Sequence, residues 1–155
     1  MGLYYSWGNV EGYSEGSGYD FSQEVYNASP GATIAADLTL GQDAARVELG
    51  APWRMPTSAE FQELYNYCTS VWTRLNGVYG RLFTSNANGK TLFLPAAGRY
   101  DGTSLDRLGS RGDYWSSTFH SSTNAYYLSI DSESADPHNN SFRRFGFTVR
   151  AVMDP

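Results

Sequence analysis

Two histidines, His120 and His138, fall in one thirty-residue stretch together with Asp131 and Asp136. Imidazole and carboxylate are metal-ligand types, but a metal site also needs ligands at fixed spacing, and none is present. Neither a metal nor any other cofactor is therefore expected. Cys68 is the only cysteine, so no intrachain disulfide can form. No Lys, Arg or His adjoins it to stabilise a thiolate, so it reads as a small buried hydrophobe. Glycoside hydrolysis would need two carboxylates at a set separation. The sixteen acidic residues are scattered and single out no such pair. Arg111-Gly112-Asp113 spells the integrin-binding tripeptide, but three residues carry little information. Glu-Pro-Asn, Gln-Pro-Asp and Trp-Asn-Asp strings, which would chelate calcium and sugar together, are missing. These residue types point away from catalysis, and no enzyme is expected.

They point instead to recognition. The thirty residues from Asp113 to Phe142 contain no Lys or Arg, yet hold eight Ser, three Tyr and three Asn. Tyr supplies large contact area at low entropic cost, and Ser and Asn supply adaptable hydrogen bonds. The candidate ligand-binding residues are Phe119, His120, Ser121, Ser122, Asn124, Tyr127, Ser129, Asp131, Asp136, His138, Asn139, Asn140 and Phe142. Phe119, Tyr127 and Phe142 are the expected aromatic hot spots. Tyr127 is the best exposed anchor, because it alternates with Leu128. Residues 119–142 would form the surface, with 1–118 and 143–155 as scaffold.

The bulk numbers agree. At 155 residues the chain has the size of one domain, read here as 1–155. Charged residues make up 17%, below the roughly 25% of typical globular proteins. The net charge is −5 with no basic run, which argues against nucleic acid as a partner. No apolar stretch approaches the ~20 residues of a membrane span. Met1-Gly2 runs straight into Leu3-Tyr4-Tyr5 with no signal-peptide pattern. A preceding region is expected to have been removed or to be encoded elsewhere.

The elements that must hold the tract are legible in part. Residues 3–8 read as a strand and 9–33 as irregular loop. Leu40, Ala44 and Val47 predict a helix over 40–49, stopped by Gly50. Thr57-Ser58-Ala59-Glu60 is a capping box, followed by Phe61, Leu64, Tyr65 and Cys68 at helical spacing. Asn88-Gly89 signals a turn between Leu82-Phe83-Thr84 and Thr91-Leu92-Phe93-Leu94. Tyr126, Leu128 and Ile130 alternate as the buried face of one strand. Phe145, Phe147, Val149 and Ala151 alternate as the buried face of a closing strand. Trp7, Trp53, Trp72 and Trp115 read as core. The fold class expected is α+β, with two helices packed on a small antiparallel sheet.

Several strings also resemble a known group. Trp53-Arg54-Met55-Pro56-Thr57 with Glu60, Leu94-Pro95-Ala96-Ala97-Gly98, Gly112 to Thr118, and Arg143 to Val152 are similar to segments of the Fibrobacter major-paralogue domain family. The same strings mark the variable proteins of diversity-generating retroelements. The resemblance covers most of residues 3–153. It implies a C-type lectin-like fold of the formylglycine-generating-enzyme kind, although that catalysis needs a cysteine pair this chain lacks. It implies that residues between the two flanking strings are diversified through adenines in their codons. It implies display outside the cell, on a bacterial surface or phage virion, with an unidentified protein or glycan on another cell as partner. The sequons Asn27-Ala28-Ser29 and Asn139-Asn140-Ser141 are then incidental. The competing readings are a structural surface domain with no selected ligand, and an enzyme acting on polysaccharide.

Overall fold

The computed structural model describes residues 2–23 and 34–155. Residues 24–33 of the expected loop 9–33, with the Asn27 sequon, lie outside the described residues. Along the chain come a 3-10 turn at Leu40–Gln42, α1 (Ala44–Leu49), β1 (Trp53–Arg54), α2 (Ser58–Tyr67), β2 (Cys68–Leu75) and β3 (Val78–Ser85). There follow β4 (Thr91–Pro95), β5 (Arg99–Asp101), β6 (Ser104–Asp106), β7 (Arg111–Phe119), β8 (Asn124–Asp131), β9 (Ala135–Phe142) and β10 (Val152–Met153).

This corrects the expected fold class. The molecule is mostly β, with 44% strand and 14% helix. Among the described residues the strands form four small antiparallel sheets: β1-β10, β2-β3-β4, β5-β6 and β7-β8-β9. An α+β, C-type lectin-like arrangement of two helices on one sheet is not what the chain builds. The reason is local. Asp43 accepts a hydrogen bond from Arg46 N and starts a helix there, so the expected helix over 40–49 shrinks to six residues. Of the expected stripe Leu40 and Val47 are exposed and Ala44 is buried, with Ala45 beside it. After Tyr67 the chain turns extended, so Cys68 opens β2 rather than completing a helical stripe. Strand β2 is thus an element the periodicity did not announce, whereas the expected strand at 82–84 lies within β3.

The capping box holds: Thr57 Oγ1 accepts from Glu60 N at 3.1 Å, and Glu60 Oε1 accepts from Thr57 N at 2.9 Å. Arg54 grips the same carboxylate with two bonds of 2.6 and 2.9 Å and reaches Asp154 with its Nε at 2.6 Å. Asp43 receives Met55 N on both oxygens. The Trp53–Thr57 string is therefore joinery between α1, α2 and the C-terminal segment. Trp53 itself is 38% exposed, against expectation, and Trp72 is half-buried. The hairpin over Asn88-Gly89 forms with Phe83 opposite Leu92. The expected first and last strands are reduced to isolated bridges, Tyr5 to Phe147 and Tyr4 to Tyr13, plus the two-residue β10.

The β7-β8-β9 sheet has core on both sides. Trp115, Ala125 and Tyr127 pack with Tyr5, Trp7, Phe145 and Phe147. Their strand neighbours Tyr114, Leu128 and Ile130 pack the other way, with Phe61 of α2 and Phe83 and Leu94 of the β2-β3-β4 sheet. A third cluster unites Tyr4, Phe21 and Tyr100.

Candidate functional site

The middle strand β8 has little free face, which corrects the expectation for Tyr127. It is 4% exposed, packed against Trp115 and Phe147, and its hydroxyl accepts from Arg111 Nη2 at 2.8 Å. Alternation placed it opposite Leu128, and it is; but that second side is covered by residues distant in sequence. Tyr127 cannot be an exposed anchor. Ser129 is also buried, with its hydroxyl accepting from Asn139 Nδ2. Phe119 is half-buried against the Trp115 cluster, under the Arg143 guanidinium. Asp131 caps its own turn, accepting from Glu133 N and Ser134 N. Those bonds hold its carboxyl below the usual range. Of the three expected aromatic hot spots, Phe142 is well exposed.

Another group of candidates does converge. Tyr126, read from sequence as inward, is half-buried between the two histidines. His138 stacks on its ring at 4.8 Å, and His120 meets it edge-on at 4.9 Å. On the same side, Asn124 Nδ2 donates to Asn140 Oδ1 at 2.9 Å. His120, His138, Asn140, Asp136 and Ser122 are exposed, and Asn124, Ser121 and Asn139 are half-buried. The result is an imidazole–phenol–imidazole row beside an amide pair, at the α2 end of the sheet.

This patch has one contact that touches catalytic chemistry. Ser58 Oγ, buried at the start of α2, lies 3.2 Å from His138 Nδ1. A nucleophilic triad also needs a carboxylate to orient the imidazole. Asp136 spends its Oδ1 on the main-chain N–H of His138 instead. Among the described residues, no group of three or more His, Cys, Asp or Glu could hold a metal ion. The arrangement is suited to contact and hydrogen bonding.

The Arg111-Gly112-Asp113 string is internal. Asp113 is fully buried and accepts from Arg111 Nε at 2.8 Å. Burial pushes its carboxyl above the ordinary range, with Arg111 opposing. A binding tripeptide must be exposed, so this one serves the fold. A cleft of about 450 Å³, lined by residues such as Tyr4, Leu94, Leu108, Tyr114 and Arg150, contains none of the candidate residues. The hydroxyls of Tyr4 and Tyr114 are committed to the carbonyls of Ala97 and Pro95.

Sequence reasoning missed the arginines that frame the tract. The arginine-free stretch is bracketed by Arg107 and Arg111 on one side and Arg143 and Arg144 on the other. Arg143 is buried, donating to the carbonyls of Ile34 and Ser121 and lying 4.6 Å over Trp7. Arg99 and Arg144 both stack on Phe145, at 4.9 and 4.8 Å. The available signal was the spacing of the brackets.

No curated protein and no solved structure matches this chain. A family described as a domain of unknown function (DUF8237) matches residues 79–152, so the likeness spans β4 to β9, the candidate tract and the arginines on either side of it.

Proposed function

We propose that this protein is a non-enzymatic recognition domain, whose contact surface is the exposed rim of the β7-β8-β9 sheet. The observation that carries the reading is the His120–Tyr126–His138 row with the Asn124–Asn140 pair. Aromatic and amide groups stand side by side there on a strand pair anchored by core on both sides. Rigid aromatics give contact area, and Asn and Ser give adjustable bonds. A packed backbone beneath them lowers the ordering cost of binding. The partner we propose is a protein or glycan on another cell, met outside the cell from a bacterial surface or phage virion. The diversification implied by the family resemblance belongs to the same proposal, and it applies to the exposed members of the tract.

The test is an array of glycans and cell-surface proteins, probed with the native chain and with a His120→Ala, His138→Ala, Asn140→Ala variant. All three side chains are exposed, so the variant should still unfold cooperatively, at a lower temperature because it loses the His138–Ser58 and Asn124–Asn140 bonds. Its array signals should vanish. Retention of every signal by the variant, or an array blank for the native chain, would reject the reading.

A further inference from the structure

We infer that the cleft of about 450 Å³ at the end of β4 takes a small zwitterion, an apolar body carrying both an ammonium and a carboxylate. A large apolar amino acid, or a dipeptide of such residues, has that chemistry. This goes beyond the recognition surface above and shares no residue with it.

The fold gathers the walls from distant stretches of chain. Tyr4 and Glu15 come from the N-terminal segment, and Leu94 to Ala97 from the end of β4 and the residues after it. Tyr114 comes from β7, and Thr148 to Arg150 from the C-terminal segment. The volume lies within the roughly 300–1,000 Å³ of small-molecule sites, which are mostly apolar with a few polar groups.

The neutral polar groups of the wall are already committed. The Tyr4 and Tyr114 hydroxyls donate to the carbonyls of Ala97 and Pro95, and the Thr148 hydroxyl donates to the Asp113 carbonyl. Ala96 N donates to the Tyr79 carbonyl, and the Ala96 carbonyl accepts from Gly109 N. What remains for a ligand is apolar surface. Leu108 and Val78, which line the cleft, are left 54% and 46% exposed.

Two charges are not committed. Glu15 and Arg150 line this one cleft, yet among the described residues the ion pairs include neither of them. Arg150 also borders a second cleft with Glu60 and Glu63. Glu60 is gripped by Arg54 there, and no ion pair joins Arg150 to either carboxylate. The tyrosines add no charge of their own. Burial, and after it the Glu15 carboxylate, push the Tyr4 hydroxyl up to about 12. Burial raises Tyr114 as well, with Arg150 among the groups opposing.

One negative and one positive group at an apolar cleft select the ligand class. A simple anion would meet Arg150 but be repelled by Glu15, and a simple cation the reverse. A zwitterion satisfies both through charge-assisted hydrogen bonds, the planar guanidinium taking the carboxylate. Its apolar body covers the surface that Leu108 and Val78 leave in water.

The experiment is calorimetric titration of the native chain at low salt with phenylalanine, leucyl-phenylalanine, the N-acetyl and C-amide forms of each, and glycine. We expect at least one of the two free zwitterions to bind; which one does tells amino acid from dipeptide. Its blocked forms each lack one charge, and glycine lacks the apolar body, so these should bind at least about tenfold more weakly. Glu15 and Arg150 are exposed, so Glu15→Gln and Arg150→Gln should leave the fold intact. Each should weaken the zwitterion about tenfold. Arg150→Gln should also bind the zwitterion and its amide alike, and Glu15→Gln the zwitterion and its acetyl form alike, because the matching charge is gone. Rejection follows if neither zwitterion binds, if a blocked form or glycine binds as tightly, or if either variant binds like the native chain.

Discussion

A Cβ added at Gly112 would lie 2.6 Å from the Pro95 carbonyl oxygen and 3.0 Å from both Ile130 and Tyr114. The first neighbour is main chain and the others are core, so nothing can move aside cheaply. Gly112→Ala should cost about 3 kcal/mol through overpacking. Gly16, unlike Gly112, has a left-handed backbone, φ 78°, but open space around it. Gly16→Ala should cost about 1 kcal/mol. Urea midpoints of the two variants check the difference, and equal losses would contradict the packing at Gly112. Tyr127→Ala should lose about 3 kcal/mol or more as a core truncation, whereas Ser122→Ala, at an exposed position, should stay within about 0.5 kcal/mol. At this scale the sequence was half legible. Alternation placed Tyr127 and Leu128 on opposite sides, but no local pattern reveals that Tyr5, Trp7 and Phe147 cover the second side. The same blindness hid the Tyr126 row, because stacking between His120 and His138 is set by how β7, β8 and β9 pair.

Among the elements, α2 is the one whose start was written plainly. Thr57 and Glu60 close the capping box, and Arg54 holds the Glu60 carboxyl, drawing it from 4.5 down to about 2. The sign of the consequence is definite. A carboxyl lowered by folding adds stability above its unfolded value, and that share is lost as pH falls toward the folded value. Acid titration of stability should therefore show a loss between pH 4.5 and about 2 that comes from this group. Glu60→Gln keeps an acceptor for the Thr57 amide but removes the charge. In that variant the stability change over this window should shrink, as read by urea unfolding at a series of pH values; an unchanged slope would show that the Arg54 pair contributes nothing there. Strand β2 was not legible for a related reason. Phe61, Leu64, Tyr65 and Cys68 satisfy helical spacing, but the helix stops at Tyr67 because the chain turns extended at Cys68. Tyr65, on that same stripe, is exposed.

For the molecule as a whole, the two ends of the chain are one structural unit. Trp115 Nε1 donates to the Tyr5 carbonyl at 2.7 Å, and Trp7 Nε1 donates to the Ser116 carbonyl at 2.8 Å. Phe147 bridges to Tyr5, and Trp7 N donates to the Arg143 carbonyl. A fragment of residues 79–152 would lack Tyr5, Trp7, Met55 and Phe61, leaving two core clusters open. Buried aromatics contribute roughly 3–5 kcal/mol each when truncated, against a total stability of about 5–15 kcal/mol. That fragment should show poor amide dispersion in proton NMR, while the full chain shows the spread of a folded β protein; a well-dispersed fragment would contradict this dependence. The expected balance of helices and sheet failed at this scale because long strands lacked apolar alternation: β7, nine residues, is buried on successive positions, and β9, eight residues, is rich in Asp, Asn and Ser. The expected burial of Trp7 and Trp115 held.

The long-range clamps share a habit. Trp7, Trp115, Tyr4, Tyr114, Arg81 and Arg143 all aim their polar tips at carbonyl oxygens contributed by Ser116, Tyr5, Ala97, Pro95, Asp131, Ile34 and Ser121. A carbonyl is the same whatever side chain its residue carries. A lineage can therefore rewrite the identities along the hairpin tip at Ser121 and beside it without loosening the ties that keep the tip in place, much as type can be reset in a frame that grips only the blanks.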